Sequence, residues 1–109
     1  MPSGDYTKIP PQDQNAEQAL LGAIMIKPNA LNEIDSLIGP DDFYAEKHRL
    51  IFNAMVTLSD RGDPIDMVSL SSLLKENGHL DKMGGASYLA EMVNAVPSAS
   101  NITYYADIV

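Results

Sequence analysis

The chain has 109 residues, 45% of them apolar, and no cysteine. That is the length of one ordinary domain, with enough apolar material for one core and no use of a disulfide or thiolate metal staple. Fifteen acids against seven Lys and Arg give a net charge of −8. Nucleic-acid binding is driven largely by cations on phosphate, so this balance argues against a direct grip on DNA or RNA and for a basic protein partner. The N-terminus is polar and lacks the apolar stretch of a signal peptide, and the longest apolar run, Ala23 to Ile26, is too short to cross a bilayer. No membrane association is expected, and the cytoplasm is the expected compartment.

In chain order the pattern is helical. Residues 1–12 read as a flexible tail, and residues 13–109 as one helical domain. Asn15 followed by Gln18 looks like a capping box, and Ala16, Ala19, Leu20, Ala23 and Ile24 form the first apolar stripe. Gly22 sits inside that helix, where it costs about 1 kcal/mol relative to Ala, so close packing against a neighbour is expected there. Leu31, Ile34, Leu37 and Ile38 mark a short second helix closed by Gly39-Pro40. Asp41 and Asp42 are placed to cap a third, whose buried face is His48, Ile51, Phe52, Met55 and Leu58, and which ends at Arg61-Gly62. Asp66 caps a fourth with Val68, Leu70, Leu73 and Leu74 as its apolar set, and Gly78 closes it. Gly84-Gly85 introduces a fifth with Tyr88, Leu89, Met92 and Val93, which Pro97 breaks. Ser98 caps a last helix carrying Ile102, Tyr105, Ala106 and Val109, with Tyr104 turned outward. The expected fold is an all-α compact bundle of about six short helices. Only Pro64–Ile65 leaves room for a strand. The last helix has no closing signal at Val109, so the chain reads as one piece of a longer protein whose further residues cover Ile108 and Val109.

The residues able to carry chemistry are few. His48 and His79 stand far apart without Cys, which does not make a zinc set. His48 is expected at the edge of the core, bonded to a backbone carbonyl. Asp41 with Asp42, and Asp63 with Asp66, flank helix starts, where capping accounts for them. Gly84-Gly85 with Ser87 is a turn without the Lys of a phosphate loop, and no nucleophile elbow occurs. No catalytic, cofactor or metal site is expected. Tyr88 is open between core and interface, and a partner-binding surface is expected around Asp81, Met83 and Tyr88. On the interface alternative, Tyr88→Ala weakens binding and leaves the fold intact.

Read in order, a set of landmarks joins these elements: Pro10-Pro11-Gln12, Ala16-Glu17-Gln18-Ala19-Leu20-Leu21-Gly22-Ala23, Asp42-Phe43-Tyr44, His48-Arg49 and Ile51-Phe52. Gly62, Pro64-Ile65-Asp66, Gly78-His79-Leu80, Gly84-Gly85, Tyr88-Leu89, Pro97-Ser98-Ala99, Asn101 and Tyr105-Ala106-Asp107-Ile108-Val109 follow. From about Pro10 to Val109 the chain resembles the N-terminal domain of DnaB-type hexameric replicative DNA helicases of bacteria, phages and plasmids. Asn15, where an acid is frequent, and Ser100, where Ala is frequent, depart from the pattern, and both suit capping. The resemblance implies a six-helix head, followed in the parent protein by a helical hairpin, a linker and a RecA-like ATPase domain. ATP and Mg, helicase activity and contact with single-stranded DNA belong to those parts. For the head it implies a collar on the ring, recruitment of the primase C-terminal domain, response to a helicase loader, and self-association no stronger than a weak dimer when alone. The alternative from the residues, a stand-alone helical nucleic-acid-binding domain, conflicts with the acidic charge.

Overall fold

The computed structural model describes residues 11–96 and 106–109, with side chains from residue 14 onward. Helix α1 spans Pro11–Ile26, and a 3-10 turn, Pro28–Ala30, leads into α2, Leu31–Ile34. A second 3-10 turn, Pro40–Asp42, precedes α3, Glu46–Arg61. Then come α4, Met67–Glu76, a third 3-10 turn, Asp81–Met83, and α5, Ala86–Asn94. Residues 106–108 are helical again, and no strand occurs among the described residues. The all-α bundle is therefore as the periodicity predicts. Pro97, Ser98, Ile102, Tyr104 and Tyr105 lie outside the described residues.

The core forms where the apolar faces meet. Leu20, Leu21 and Ile24 of α1, Ile34 of α2, Ile51 and Met55 of α3, Leu70 and Leu74 of α4, and Leu89 and Met92 of α5 are all fully buried. Phe43 and Phe52 add a tilted aromatic pair with ring centroids 5.1 Å apart. Helix α1 packs against both α5 and α3, while α4 packs against α3 and α5. The face expected of α3, from His48 through Leu58, is buried without exception. Asp66 caps α4 as expected: its carboxylate accepts from Ser69 N at 2.8 Å, and Ser69 Oγ accepts from Asp66 N at 3.1 Å. The Ser69 N–H and Oγ–H, both donating to the Asp66 carboxylate, hold it below the ordinary carboxylate range.

Several local expectations fail, each for a physical reason. Helix α1 is already under way at Pro11, so Asn15 lies within it and caps nothing. A proline in the first helical position loses no hydrogen bond, so Pro11 opens the helix here. Helix α2 stops at Ile34, and Leu37 beyond it is 55% exposed. Gly39 does not close that helix in a left-handed conformation; it is extended and precedes the 3-10 turn. Asp42 caps that turn, accepting from Gly39 N at 2.7 Å, and α3 begins at Glu46, after Ala45, without a side-chain cap of its own. Val68 is 77% exposed, because it lies on the outer side of a turn whose Met67 and Leu70 face the core. Val93 is half-buried.

The close approach expected at Gly22 is present. A Cβ built there would lie 2.8 Å from the Met92 carbonyl carbon and closer still to its oxygen, which belongs to the backbone of α5. The neighbour is main chain and cannot rotate away. We expect Gly22→Ala to destabilise the domain by about 1–3 kcal/mol, despite the ~1 kcal/mol that Ala contributes in a free helix. Chemical denaturation of the two proteins measures the difference, and an equally stable variant would show that α5 can shift.

Candidate functional site

Two polar side chains are buried among the described core residues, Glu17 at 2% and His48 at 1% exposure. They meet. Glu17 projects from α1 among Ala16, Leu20 and Leu21, and His48 projects from the first turn of α3. Their Oε1 and Nδ1 atoms are 2.7 Å apart. On the far side of the ring, Nε2 stands 2.6 Å from the hydroxyl of Tyr88, on the first turn of α5. Three helices are thus tied through one imidazole. The expectation for His48 is corrected here: it lies inside the core, and its partners are a carboxylate and a phenol in place of a backbone carbonyl.

Glu17 does a second job. Its Oε2 accepts from Tyr44 N at 2.6 Å and its Oε1 from Ala45 N at 3.4 Å. Helix α3 lacks a cap from its own sequence, and this carboxylate from another helix meets the chain at its entry, near the positive end of the helix dipole. Arg49 completes the entry by donating Nη1–H to the carbonyls of Phe43 and Tyr44, at 2.8 and 3.0 Å.

The proton positions follow from the partners. Burial pushes the Tyr88 hydroxyl up to about 12, with the Glu91 and Glu17 charges adding to the effect. Tyr88 is therefore a donor at neutral pH, and Nε2 of His48 accepts from it. That leaves the proton on Nδ1, which donates to Glu17. Burial lowers the His48 pKa below its ordinary 6.5, and this outweighs the opposite pull of Glu17. A neutral imidazole with this tautomer satisfies both bonds, and no buried side-chain nitrogen or oxygen among the described residues lacks a partner. The ring of Tyr88 stacks on His48 with centroids 5.9 Å apart, and Lys47 Nζ lies 4.1 Å from its centroid.

The acid–imidazole–hydroxyl order has the outline of a nucleophile-activating set. Its chemistry is otherwise. A phenol held near 12 resists becoming a nucleophile. The cavity beside Glu17, about 250 Å³, is lined by Asp41, Asp42, Phe43, Tyr44, Arg49 and Val109, and neither His48 nor Tyr88 lines it. No group of three or more His, Cys, Asp or Glu is placed to hold a metal ion among the described residues. The triad braces the fold.

Of the residues expected to meet a partner, Asp81 is exposed, Met83 is 3% exposed, and Tyr88 is half-buried. Met83 therefore lies in the core beneath that surface, and the Tyr88 hydroxyl is already committed to His48. Gly84 and Gly85 both take positive φ, 101° and 74°, which turns the chain sharply between Met83 and α5. Ser87 Oγ bonds the Gly84 carbonyl at 3.1 Å and so belongs to the turn. Glu17 was not singled out in the sequence as a functional residue. The signal was present, since it is an acid flush with an apolar stripe, as His48 is on α3.

Fold and site together define an all-helical domain braced by an internal polar clamp. A family model described as the DnaB-like helicase N terminal domain matches residues 9–109. The chain belongs to that family. It is 49% identical to the replicative DNA helicase DnaC of Bacillus subtilis over 94% of this chain and 22% of that protein. It is 46% identical to the replicative DNA helicase DnaB of Geobacillus stearothermophilus, again over 94% of this chain and 22% of the relative. It thus spans about a fifth of the length of these curated relatives. The crystal structure of the N-terminal domain of DnaB helicase from Mycobacterium tuberculosis superposes with a TM-score of 0.87 at 38% identity, covering 92% of this chain and 71% of that one. A structure described as a DnaB-like replicative helicase and its interactions with primase matches at 0.76 and 30% identity, over 86% of this chain and 22% of that one.

Two predictions test the clamp. Tyr88→Phe keeps the ring and leaves the buried Nε2 unpaired, so it should cost about 1–3 kcal/mol by denaturant unfolding. Tyr88→Ala should lower the melting temperature further, as the core alternative requires and contrary to the interface one, and a stable Ala variant would return Tyr88 to the surface. The second concerns pH. Between pH 6.5 and the lower folded value, the unfolded chain takes up a proton at His48 that the folded chain refuses. Stability from the neutral imidazole is complete above pH 6.5 and is lost as the pH falls below it. The stability difference between wild type and His48→Gln should be largest near about pH 7.5 and narrow towards about pH 5. Widening on acidification would mean that the clamp holds an imidazolium.

Proposed function

We propose that this domain is a non-catalytic docking and ring-assembly element of a replicative DNA helicase, one that helps recruit primase and organise the hexamer. The family membership carries this reading. A DnaB-like relative has been captured in its interactions with primase, which supports primase as a partner here. The net charge of −8 fits a protein partner and opposes direct contact with DNA, which weighs against a stand-alone nucleic-acid-binding domain. On this reading the parent protein unwinds duplex DNA in the cytoplasm, and ATP, Mg and single-stranded DNA are handled by its other domains. A helicase loader and further copies of the chain complete the partner set. No described helix is long and apolar enough to cross a membrane, in keeping with a partner set drawn from the replication fork.

The primase-facing surface on this proposal presents Asp81 and the open side of Tyr88, with Met83 as buried support. Asp81 is the cleaner probe, because it is exposed and braces nothing in the core. Titration calorimetry with a primase C-terminal domain should detect binding. Asp81→Lys should weaken it by about fivefold without moving the melting temperature. Absent binding, or affinity indifferent to Asp81, would remove this surface from the proposal.

A further inference from the structure

Two neighbouring side chains of α3 lie against the Tyr88 ring. The imidazole of His48 stacks on it with centroids 5.9 Å apart, and the Lys47 ammonium stands 4.1 Å from its centroid. Lys47 is half-buried in that position, and among the described residues no acid lies within 4.0 Å of it. Its partner is the negative face of the ring, a weak contact at a surface and one that yields to modest repulsion. The other charges about the clamp are placed as follows. Arg49 of α3 is committed to the carbonyls of Phe43 and Tyr44. Asp41 and Asp42, ahead of α3, line the cavity beside Glu17. Glu91 of α5 stands one turn beyond Tyr88. The charged side chains of α4, Lys75 and Glu76, are exposed in its last turn.

The clamp has a second hydrogen-bonded arrangement available. With neutral His48, the Tyr88 hydroxyl donates to Nε2 and Nδ1–H donates to Glu17. An imidazolium carries N–H on both nitrogens. Nδ1–H keeps its carboxylate, and that bond becomes fully charge-assisted. Nε2–H meets an oxygen at 2.6 Å that accepts as well as it donates. The phenol proton then turns to the open side of a half-buried side chain, where water receives it. All three helices stay tied in both arrangements. The charged one differs at the surface, because it sets a second cation against the ring that carries Lys47. Lys47 has a long flexible stem and the imidazole is fixed, so the ammonium is the group that leaves. We infer that His48 and Lys47 work a pH-sensitive switch on Tyr88: a proton taken up by His48 reverses the Tyr88 hydrogen bond and releases Lys47 from the ring, while α1, α3 and α5 stay clamped. Burial sets the transition below the ordinary histidine range, and the Lys47 charge lowers it further. Linkage runs both ways, so whatever draws Lys47 off the ring makes His48 easier to protonate. The surface change belongs to the domain itself, whether or not primase reads Tyr88.

The test is an NMR titration of the whole chain from about pH 8 to about pH 4.5. The ring nitrogens of His48 report its protonation, and the Cζ carbon of Tyr88 reports whether its hydroxyl donates or accepts. The Lys47 side-chain protons, displaced by the ring current of Tyr88, report the contact. All three should move together with one midpoint below 6.5, while the Leu20 and Met92 methyl signals keep their native positions. His48→Gln should leave the Lys47 signals displaced at every pH. Lys47→Gln should raise the His48 midpoint by about 0.3–0.5 pH units, the size of one like charge removed at this range. Lys47 signals that ignore the His48 titration, or that still titrate in His48→Gln, would overturn the switch. An unmoved midpoint in Lys47→Gln would overturn it too, and that measurement stands even where His48→Gln fails to fold. Proton uptake that coincides with loss of the core methyl signals would make the clamp an acid-labile brace and end the inference.

Discussion

Everything in this domain is arranged around one carboxylate held away from water. A buried charge is costly unless donors surround it. For Glu17 the donors come from two segments, the backbone entering α3 and the imidazole of His48. The imidazole in turn needs a donor on its other nitrogen, and α5 supplies it through Tyr88. Each proton in the chain is set by the next. Burial keeps the phenol protonated, the phenol makes Nε2 an acceptor, and the remaining proton faces the acid. The arrangement can be satisfied only with α1, α3 and α5 in one mutual placement, so it selects a single packing of helices that apolar contact alone would leave less sharply defined.

The close contact of α1 with α5 supports the same geometry. Gly22 brings the two backbones together beside Met92, one turn beyond Tyr88 on α5. Ala16, Ala19 and Ala23 keep the buried side of α1 small. A bulkier residue would hold α5 away and draw the phenol off the imidazole. Packing and polar bonding therefore fail together. The acids outside the core give the surface its negative field.

The fold was legible to the extent that its signals are local. The buried face of α3 follows from a 3.6-residue spacing, and the cap at Asp66 from an acid standing just before an apolar helical run. Gly22 announced a close neighbour because a glycine inside a helix needs a compensation. The errors fall where two local signals compete. Asn15 resembles a cap, yet Pro11 begins the helix earlier. Leu37 and Val68 keep the helical spacing at ends of helices that no other element covers.

What the sequence determined by itself is the class: an acidic, all-helical domain with the ordered landmarks of its family. Helical period, capping and turn chemistry act within a few residues, so a linear chain displays them directly. The clamp was decided by tertiary structure. His48 is 31 positions from Glu17 and 40 from Tyr88, and no spacing rule connects such residues. Only the packing of α1, α3 and α5 sets which atoms meet, and the burial that results decides which of them carries the proton. The same packing moved Met83 from the expected contact surface into the core.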